Sequence, residues 1–245
     1  VIGVGAVIGV LSIGQGAEAS IIGQIESIGT NVIYVFQGNS AEDVTNPNRL
    51  TTADADALSN RTRAPHILNV ASVLSGQSRV RFGDESVQTS IMGVPENYAE
   101  VTDLKLSEGS FFTESNVANR GSVVVLGPEL AERLTGRSTD LVGTTVQINN
   151  YPFRVVGITT ARGGSQFSSP DMDAFIPITT MQLRVRRQSV PNAVDFLLVQ
   201  AQDSQSTELA MQEAKNILRT SHRLSSRQPD DFTMTNQEDI LSIAN

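Results

Sequence analysis

Three pairs of aspartates are the residues whose types and spacing come closest to doing chemistry. Two carboxylates that face one bond can hydrolyse a glycoside when one of them has a raised pKa. Closely spaced carboxylates can also bind a cation with help from backbone oxygens. The pairs are Asp54 with Asp56, Asp171 with Asp173, and Asp230 with Asp231.

The first two pairs also have simpler structural interpretations. Asp54 and Asp56 lie at the predicted start of a short helix, where carboxylates interact favourably with the helix dipole. Asp171 and Asp173 lie two residues apart in a loop, and nothing like a twelve-residue calcium loop surrounds them. We therefore predict a capping role for the first pair and a solvated loop for the second.

The chain has no cysteine and only two histidines, which limits the other chemistries. Without cysteine, disulfides, thiol catalysis and thiolate metal sites are excluded. His66 precedes a predicted strand, and His222 ends a predicted helix, where a cation is favourable. The loop serines lack the context of a nucleophile elbow; they are Ser165, Ser168 and Ser169. The sequence therefore predicts no catalytic, cofactor-binding or metal-binding residues.

Two further clusters could make contacts instead of doing chemistry. A cluster of three arginines could bind lipid head groups or an acidic partner, although a solvated helix end is the favoured interpretation. This basic cluster consists of Arg184, Arg186 and Arg187. Phe111, Phe112 and Phe167 could be exposed contact residues, but Phe111 and Phe112 are predicted to anchor a core.

Composition excludes several classes of function. The 245 residues carry a net charge of −8, which argues against a nucleic-acid partner because phosphate binding needs clustered basic residues. No G-x-x-x-x-G-K-[ST] loop occurs, so an ATPase site, if the protein needs one, must lie on another segment or subunit.

The opening stretch, VIGVGAVIGVLSIGQGAEAS, has three possible interpretations. As a cofactor loop it fails, because its third glycine comes one residue late and no strand precedes it. Helical spacing instead predicts a helix over 1–28, apolar at first and then amphipathic, which is either the end of a membrane helix or a buried core helix. We expect a piece of a longer chain, with self-association through an exposed apolar face formed by Ile2, Val7, Val10 and Leu11.

The remaining elements form a strand–helix–strand pattern twice, and a block with shorter predicted elements separates the two copies. Strands are predicted at 32–36 and from about 67 to 94, with a helix that starts at Thr51 between them. After about residue 190, a strand, an amphipathic helix, a strand and the start of a last helix follow. The block between is predicted to hold short strands and one short helix. This pattern predicts an α+β fold in which the two halves form one sheet.

Four runs carry a resemblance to a known family. They are IGQGAEASIIGQIESIGTNVIYV, LKLSEGSFFTESNVANRGSVVVLGPELAERL, DLVGTTVQINNYPFRVVGI and DAFIPITTMQLRV. In this order they resemble the extracytoplasmic domain of MacB-type ABC transporter permeases, which lies between the first and second transmembrane helices. One departure is Leu134-Thr135-Gly136, where the family often has Leu-Phe-Gly.

The resemblance implies two subdomains and a non-catalytic role. Residues 1–94 plus 191–245 would form a Porter-like subdomain, with 1–28 as a stalk helix that emerges from the membrane, and 95–190 an inserted, mainly-β Sabre-like subdomain. The domain would lie on the periplasmic side of the cell membrane and couple helix motion to adaptor contact and efflux of a small molecule or peptide. The implied partners are a second permease copy, a periplasmic adaptor and an ABC ATPase. The alternatives are a lipoprotein-release or envelope-signalling permease domain, or a soluble ligand-binding protein.

Overall fold

The structure is a computed structural model that describes residues 31–236 except 40–43, 45 and 164–168. The described residues form a ten-stranded sheet with the strand order β10-β1-β9-β2-β3-β8-β5-β7-β4, and β6 pairs with β2 and β7. The strands are β1 Val32–Gln37, β2 Ile67–Phe82, β3 Glu85–Val94, β4 Leu106–Gly109, β5 Val123–Leu126, β6 Thr145–Ile148, β7 Tyr151–Thr159, β8 Ala174–Pro177, β9 Phe196–Ala201 and β10 Phe232–Asn236.

Six α-helical segments accompany these strands in the described part of the chain. They are α1 Thr52–Leu58, α2 Tyr98–Val101, α3 Glu114–Ala118, α4 Pro128–Thr135, α5 Ile178–Thr180 and α6 Thr207–Ser221. A π-helical turn, Met181–Val185, continues α5. None of the described helices is long and apolar enough to cross a bilayer.

The first part of the sheet, β10-β1-β9-β2, is antiparallel throughout. Strand β9 lies between β1 and β2, so each strand–helix–strand unit is split by a strand of the other, as in a split βαβ fold. The predicted union of the two halves in one sheet is therefore confirmed. Alternation along β1 places Ile33 and Val35 in the core that contains helix residues such as Leu58 and Ile217, whereas Val32 and Tyr34 belong to a core on the other face.

Strand β2 is sixteen residues long and joins this part of the sheet to the rest. Its first half, over 67–73, pairs with β9, and its second half, over 74–82, pairs with β3. Strand β3 then runs parallel to β8, and β5 runs parallel to β7. One continuous ribbon of backbone hydrogen bonds therefore extends from the terminal strands into the middle block.

Two glycines inside the runs that carry the resemblance have a steric reason to be glycine. Gly109 has a φ of 72°, and a Cβ there would lie 2.1 Å from the carbonyl oxygen of Val156. A Cβ on Gly127 would lie 2.2 Å from the carbonyl oxygen of Asp171. Any side chain at these positions would separate backbone segments that the middle block brings together.

The predicted elements agree with the structure except in the middle block. The prediction of one short helix there was wrong, because α2, α3 and α5 accompany α4. The stretch AFIPITTMQLRV forms β8 for four residues and then becomes helical. The stalk helix over 1–28 with its apolar face, and the helix expected after Asn236, lie outside the described residues.

Candidate functional site

The first and last strands of the described chain lie side by side in the sheet. Strands β1 and β10 are antiparallel neighbours, and Ile33 lies opposite Asn236. Asn31 fixes the entry point, because its side-chain amide donates to the Ala201 carbonyl at 2.8 Å and its own carbonyl accepts from the Ala201 N–H at 2.9 Å. The two ends of the described chain thus lie next to each other at one end of the sheet.

A buried ion cluster fastens β10 to the helices; it consists of His222, Asp231 and Asp54 and is called the His222 cluster below. His222 follows the last residue of α6, and its Nδ1 lies 2.7 Å from Oδ1 of Asp231, just before β10. Its Nε2 lies 3.6 Å from Oδ2 of Asp54 on α1. All three side chains are at most 4% exposed. The cluster therefore joins two helices and the start of an edge strand.

Both carboxylates of the cluster are saturated with hydrogen bonds. Oδ2 of Asp231 accepts from the Asn48 backbone N–H at 3.0 Å and from its side-chain amide at 2.7 Å. Oδ2 of Asp54 accepts from the Thr51 N–H at 2.9 Å and from the Thr51 hydroxyl at 2.8 Å, and Oδ1 accepts from the Ser221 hydroxyl. These bonds place Asp54 in a capping box on α1, so the predicted capping role is confirmed for Asp54 but not for Asp56.

The pKa values of the cluster follow from this competition between burial and pairing. Burial opposes the charge on Asp54, but the nearby His222 and hydrogen bonds from Ser221 and Thr51 lower its pKa to about 2. Burial likewise opposes the charge on His222, but its two carboxylate neighbours hold its pKa above the ordinary value. The cluster therefore stabilises the charged form of each of these two side chains. Because the cluster is enclosed and joins three elements, it stabilises their packing.

A second layer of charges surrounds the same loop. Asp230 bonds Lys215 Nζ at 2.8 Å and also pairs with Nη1 of Arg219. Burial alone would raise the pKa of Asp230, but these two cations hold it below its ordinary range. Nη2 of Arg219 also donates to the carbonyls of Ser225 and Gln228, at 2.6 and 3.0 Å. The loop between α6 and β10 is thus tied to α6 along its length.

The basic cluster is divided among different contacts. Arg186 donates to Oδ2 of Asp195 at 2.5 Å and also to the carbonyl of Ser75, where β2 passes from one half of the sheet to the other. Arg184 donates to the Ser122 hydroxyl and lies 5.7 Å from the centre of the Tyr151 ring. Arg187 makes only a 3.4 Å contact to the carbonyl of Leu183. Two of the three arginines therefore hold the fold together.

The other predicted candidates lie apart from the His222 cluster. Phe112 is buried and Phe111 packs against that core, which confirms their predicted anchoring role. Ser169 donates to Glu129 at 2.9 Å. His66 is half-exposed and lies 2.6 Å from Glu213. Asp56 is exposed, and Phe167, Ser165 and Ser168 lie outside the described residues.

Asp171 and Asp173 differ from the predicted solvated loop, because Asp171 is buried and Asp173 is half-buried. Asp171 accepts the backbone N–H groups of Arg162 and Gly163 at 2.8 and 3.0 Å. Both aspartates line a small cavity together with aromatic side chains. Within the described ranges, no group of three or more histidines and carboxylates is arranged to hold a metal ion.

Sequence reasoning missed the partners that make these clusters. Asn48, Asp195, Arg162 and Tyr34 carry no local motif, and their importance comes from contacts with residues far away along the chain. The one available signal was at Thr51, where a Thr followed three residues later by an acid marks a capping box.

Comparison with known proteins gives the family. The profile of the family described as the MacB-like periplasmic core domain matches residues 1–217. The macrolide export ATP-binding/permease protein MacB 2 of Aeromonas hydrophila is 29% identical over 245 residues, which cover 99% of this chain and 36% of that protein. The pyoverdine export ATP-binding/permease protein PvdT of Pseudomonas syringae is 27% identical over 98% of this chain and 35% of its own length.

Solved structures show the same fold. The periplasmic region of MacB from Actinobacillus actinomycetemcomitans aligns with a TM-score of 0.71 and 25% identity, and covers 90% of this chain and 96% of that one. The extracellular domain of the ABC-type transporter YknZ from Gram-positive bacteria aligns with a TM-score of 0.67 and 18% identity, and covers 84% of this chain and 100% of that one.

The family match and the shared fold define the class as an extracytoplasmic domain. The chain belongs to the MacB-like periplasmic core domain family. It spans about a third of the length of the curated relatives it matches.

Proposed function

We propose that this domain is held between two transmembrane helices of a MacB-type ABC permease and couples their motion to adaptor contact and export. The observation that carries the proposal is the pairing of Ile33 with Asn236, which brings both flanking connections to one end of the sheet. A domain suspended from two neighbouring membrane helices needs this arrangement. The family match supports the same role.

The packing supports a mechanical role without chemistry. A displacement of β10 is passed to α1 and α6 through the buried His222 cluster, and to the rest of the sheet through the ladder that β1 and β9 share with β2. Hinge and shear motions of this kind move packed units as rigid bodies. The domain therefore works as a lever, with ATP hydrolysis supplied elsewhere.

The division into subdomains belongs to this proposal. Residues 1–94 plus 191–245 form the Porter-like unit, and 95–190 form the inserted Sabre-like unit. The β2–β3 hairpin connects the two, because β2 pairs with β6 near the hairpin turn and the end of β3 pairs with β8 of the inserted block. Arg186, Asp195 and Ser75 fasten the chain at this connection.

The partners follow from the transporter class. A second permease copy would complete the membrane pathway, a periplasmic adaptor would contact the domain, and an ABC ATPase domain or subunit would drive it. Two of the relatives are named as exporters of macrolides and of pyoverdine, so the cargo is proposed to be a small molecule or peptide. Lipoprotein release and envelope signalling are the alternatives that the test must separate.

The test replaces residues 33–236 in the full-length permease by a short Gly-Ser linker. Residues opposite each other in an antiparallel pair lie about 5 Å apart, so a linker of about four residues joins the two ends without strain. We expect the bridged permease to insert in the membrane and hydrolyse ATP, but to lose both adaptor co-purification and export.

Two controls make the result decisive. The unmodified permease and the bridged permease must show equal membrane levels, which separates loss of function from loss of protein. Export at the unmodified rate by the bridged permease would contradict the proposal. Retained export of small molecules together with a loss of lipoprotein release would favour the alternative.

A further inference from the structure

A small cavity lies on the face of the sheet opposite helices α1 and α6. Its volume is about 40 Å³. A cavity needs about 15 Å³ to hold one water molecule, so this one has room for about three non-hydrogen atoms. Its walls are aromatic and apolar in part, and its polar groups come from β1, α2 and the loop before β8. The residues that matter are Tyr34, Tyr98, Arg162, Asp173, Phe175 and Phe196.

The Tyr34 hydroxyl is the first sign that the cavity holds a ligand. Tyr34 is 4% exposed, and its hydroxyl has no hydrogen-bond partner in the described part of the chain. A buried hydroxyl without a partner costs about 1–3 kcal/mol. Because Tyr34 lines the cavity, a polar group placed there would pair with it.

The charge at the cavity is the second, independent sign. Asp171 is held by two backbone N–H groups, and no residue in the described part of the chain forms an ion pair with Asp173. Burial and the negative charge of Asp171 raise the pKa of Asp173 to about 7. The Arg162 guanidinium donates to the Thr102 carbonyl at 2.8 Å. Burial raises the pKa of both tyrosines, and the charge of Arg162 offsets only part of this rise.

We propose that this cavity binds the ammonium group of a primary alkylamine. The ammonium would lie at the Asp173 carboxylate and donate to the Tyr34 hydroxyl oxygen, and its first methylene groups would pack on the rings of Phe175 and Phe196. Aromatic faces beside a carboxylate stabilise an organic cation through both charge and ring quadrupole. The inference goes beyond the proposed transport role and does not depend on it.

The competing ligand classes fit less well. An anion would lie beside Asp171 and Asp173, and the one arginine that lines the cavity already donates to Thr102. A divalent metal ion needs about six oxygen ligands, and rings and aliphatic side chains form much of this wall. A neutral alcohol would pair with Tyr34 and leave the Asp173 charge uncompensated.

The proposal predicts a definite dependence on pH. Asp171, Arg162, Tyr34 and Tyr98 are the other titratable groups that line the cavity. Burial raises the pKa of both tyrosines beyond their ordinary value, so they stay neutral, and arginine stays charged. Asp173 must release its proton when the ammonium binds. Affinity should therefore rise about tenfold between pH 6 and pH 8, as the carboxylate population grows.

The experiment titrates the 245-residue chain with ethylammonium, ethanol and formate, three probes of equal heavy-atom number. Because so few atoms limit the affinity to the millimolar range, binding is followed by NMR shifts of the residues around the cavity. We expect saturable binding of ethylammonium only, with at least about tenfold weaker binding to Asp173→Asn and Tyr34→Phe. Tyr151→Phe, at an exposed tyrosine away from the cavity, should bind like the unmodified chain.

Each other result overturns the proposal. Equal or tighter binding of formate would identify an anion site, and equal binding of ethanol would identify an apolar cavity with one hydroxyl partner. If ethylammonium shows no saturable binding up to about 100 mM, the cavity is not an ammonium site and holds only water. If a variant fails to fold, the probe series and the pH series on the unmodified chain still decide.

Discussion

The two aspartate clusters of this domain have similar residues and opposite electrostatics. In the His222 cluster, the carboxylates of Asp54 and Asp231 meet a histidine that the end of α6 supplies, and the pKa of Asp54 falls to about 2. At the cavity, burial and the nearby Asp171 carboxylate raise the pKa of Asp173 to about 7, and no residue that the structure describes forms an ion pair with it. Burial opposes charge at both places. The difference is whether a distant element brings a cation.

The largest effect is expected when the cation of the first cluster is removed. His222→Ala would leave two buried carboxylates without their partner, so the free energy of unfolding should fall by about 3–5 kcal/mol. Urea denaturation of the purified chain at pH 6 measures it. His66→Ala is the matched control, because that histidine pairs with Glu213 at a half-exposed position and its loss should cost less than about 1 kcal/mol. Equal effects of the two changes would mean that the His222 cluster is not a buried ion pair.

The next largest effect is expected at the cavity, where removing a charge should raise the free energy of unfolding instead of lowering it. Asp173 has a higher pKa in the folded chain than in the unfolded one, so the unfolded chain binds fewer protons between these values and stability falls as pH rises from about 4 to 7. Asp173→Asn removes this penalty and should stabilise the chain by about 1–2 kcal/mol at pH 8.

The gain from Asp173→Asn should shrink toward pH 4, where both states hold the proton. Thermal unfolding at a series of pH values follows it. Asp171→Asn is the control that should destabilise instead, because this carboxylate accepts two backbone N–H groups. A variant at 173 that is less stable than the unmodified chain at pH 8 would show that the carboxylate has a counterion after all.

The two titratable groups of the His222 cluster limit its contribution to stability at opposite ends of the pH range. The depressed pKa of Asp54 means that its contribution is complete above the unfolded value of about 4 and is lost as pH falls toward 2. The raised pKa of His222 means that its contribution is complete below the unfolded value of about 6.5 and is lost as pH rises through the folded value.

The contribution of the His222 cluster to stability should therefore be greatest between about pH 4 and 6.5, and His222→Gln should flatten the decline that begins above that range. Unfolding free energies from urea titrations across this range test it, with His66→Gln as the control that should keep the slope. An alkaline decline of unchanged steepness in His222→Gln would assign it to another group.

The local elements of the fold were predictable where several signals coincide. The run NVIYVF is rich in β-formers and ends at a glycine, and it forms β1. Asn149 and Asn150 have φ values of 51° and 68°, as expected of the hairpin turn between β6 and β7. Helices α2 and α3 were missed because four or five residues are too few for a helical period to show.

The clusters themselves were not predictable from one sequence. Asp54 was correctly assigned to a helix start and His222 to a helix end, but these positions are 168 residues apart along the chain. Only the split order of the strands brings the two helices side by side. For the same reason Asp171 and Asp173 were predicted to be solvated, because the aromatic side chains that enclose their cavity come from β1, α2, β8 and β9.

The smallest effect tests how closely the cap of α1 is tied to the His222 cluster. The Thr51 hydroxyl donates to Oδ2 of Asp54, and the equivalent Thr113 hydroxyl donates to Asn116 at 3.1 Å in an exposed cap on α3. Thr51→Ala should lower the free energy of unfolding by about 1 kcal/mol, and Thr113→Ala by about half as much, because only the first change weakens a buried carboxylate.

Thr51→Ser keeps the hydroxyl and should restore most of the stability. Chemical denaturation of the three variants resolves these differences when they are measured side by side. If Thr51→Ala and Thr113→Ala cost the same at pH 6, the hydroxyl contributes only to the helix end. Asp54 would then owe its low pKa to His222 and Ser221, and the cap and the ion cluster would be independent features that share one side chain.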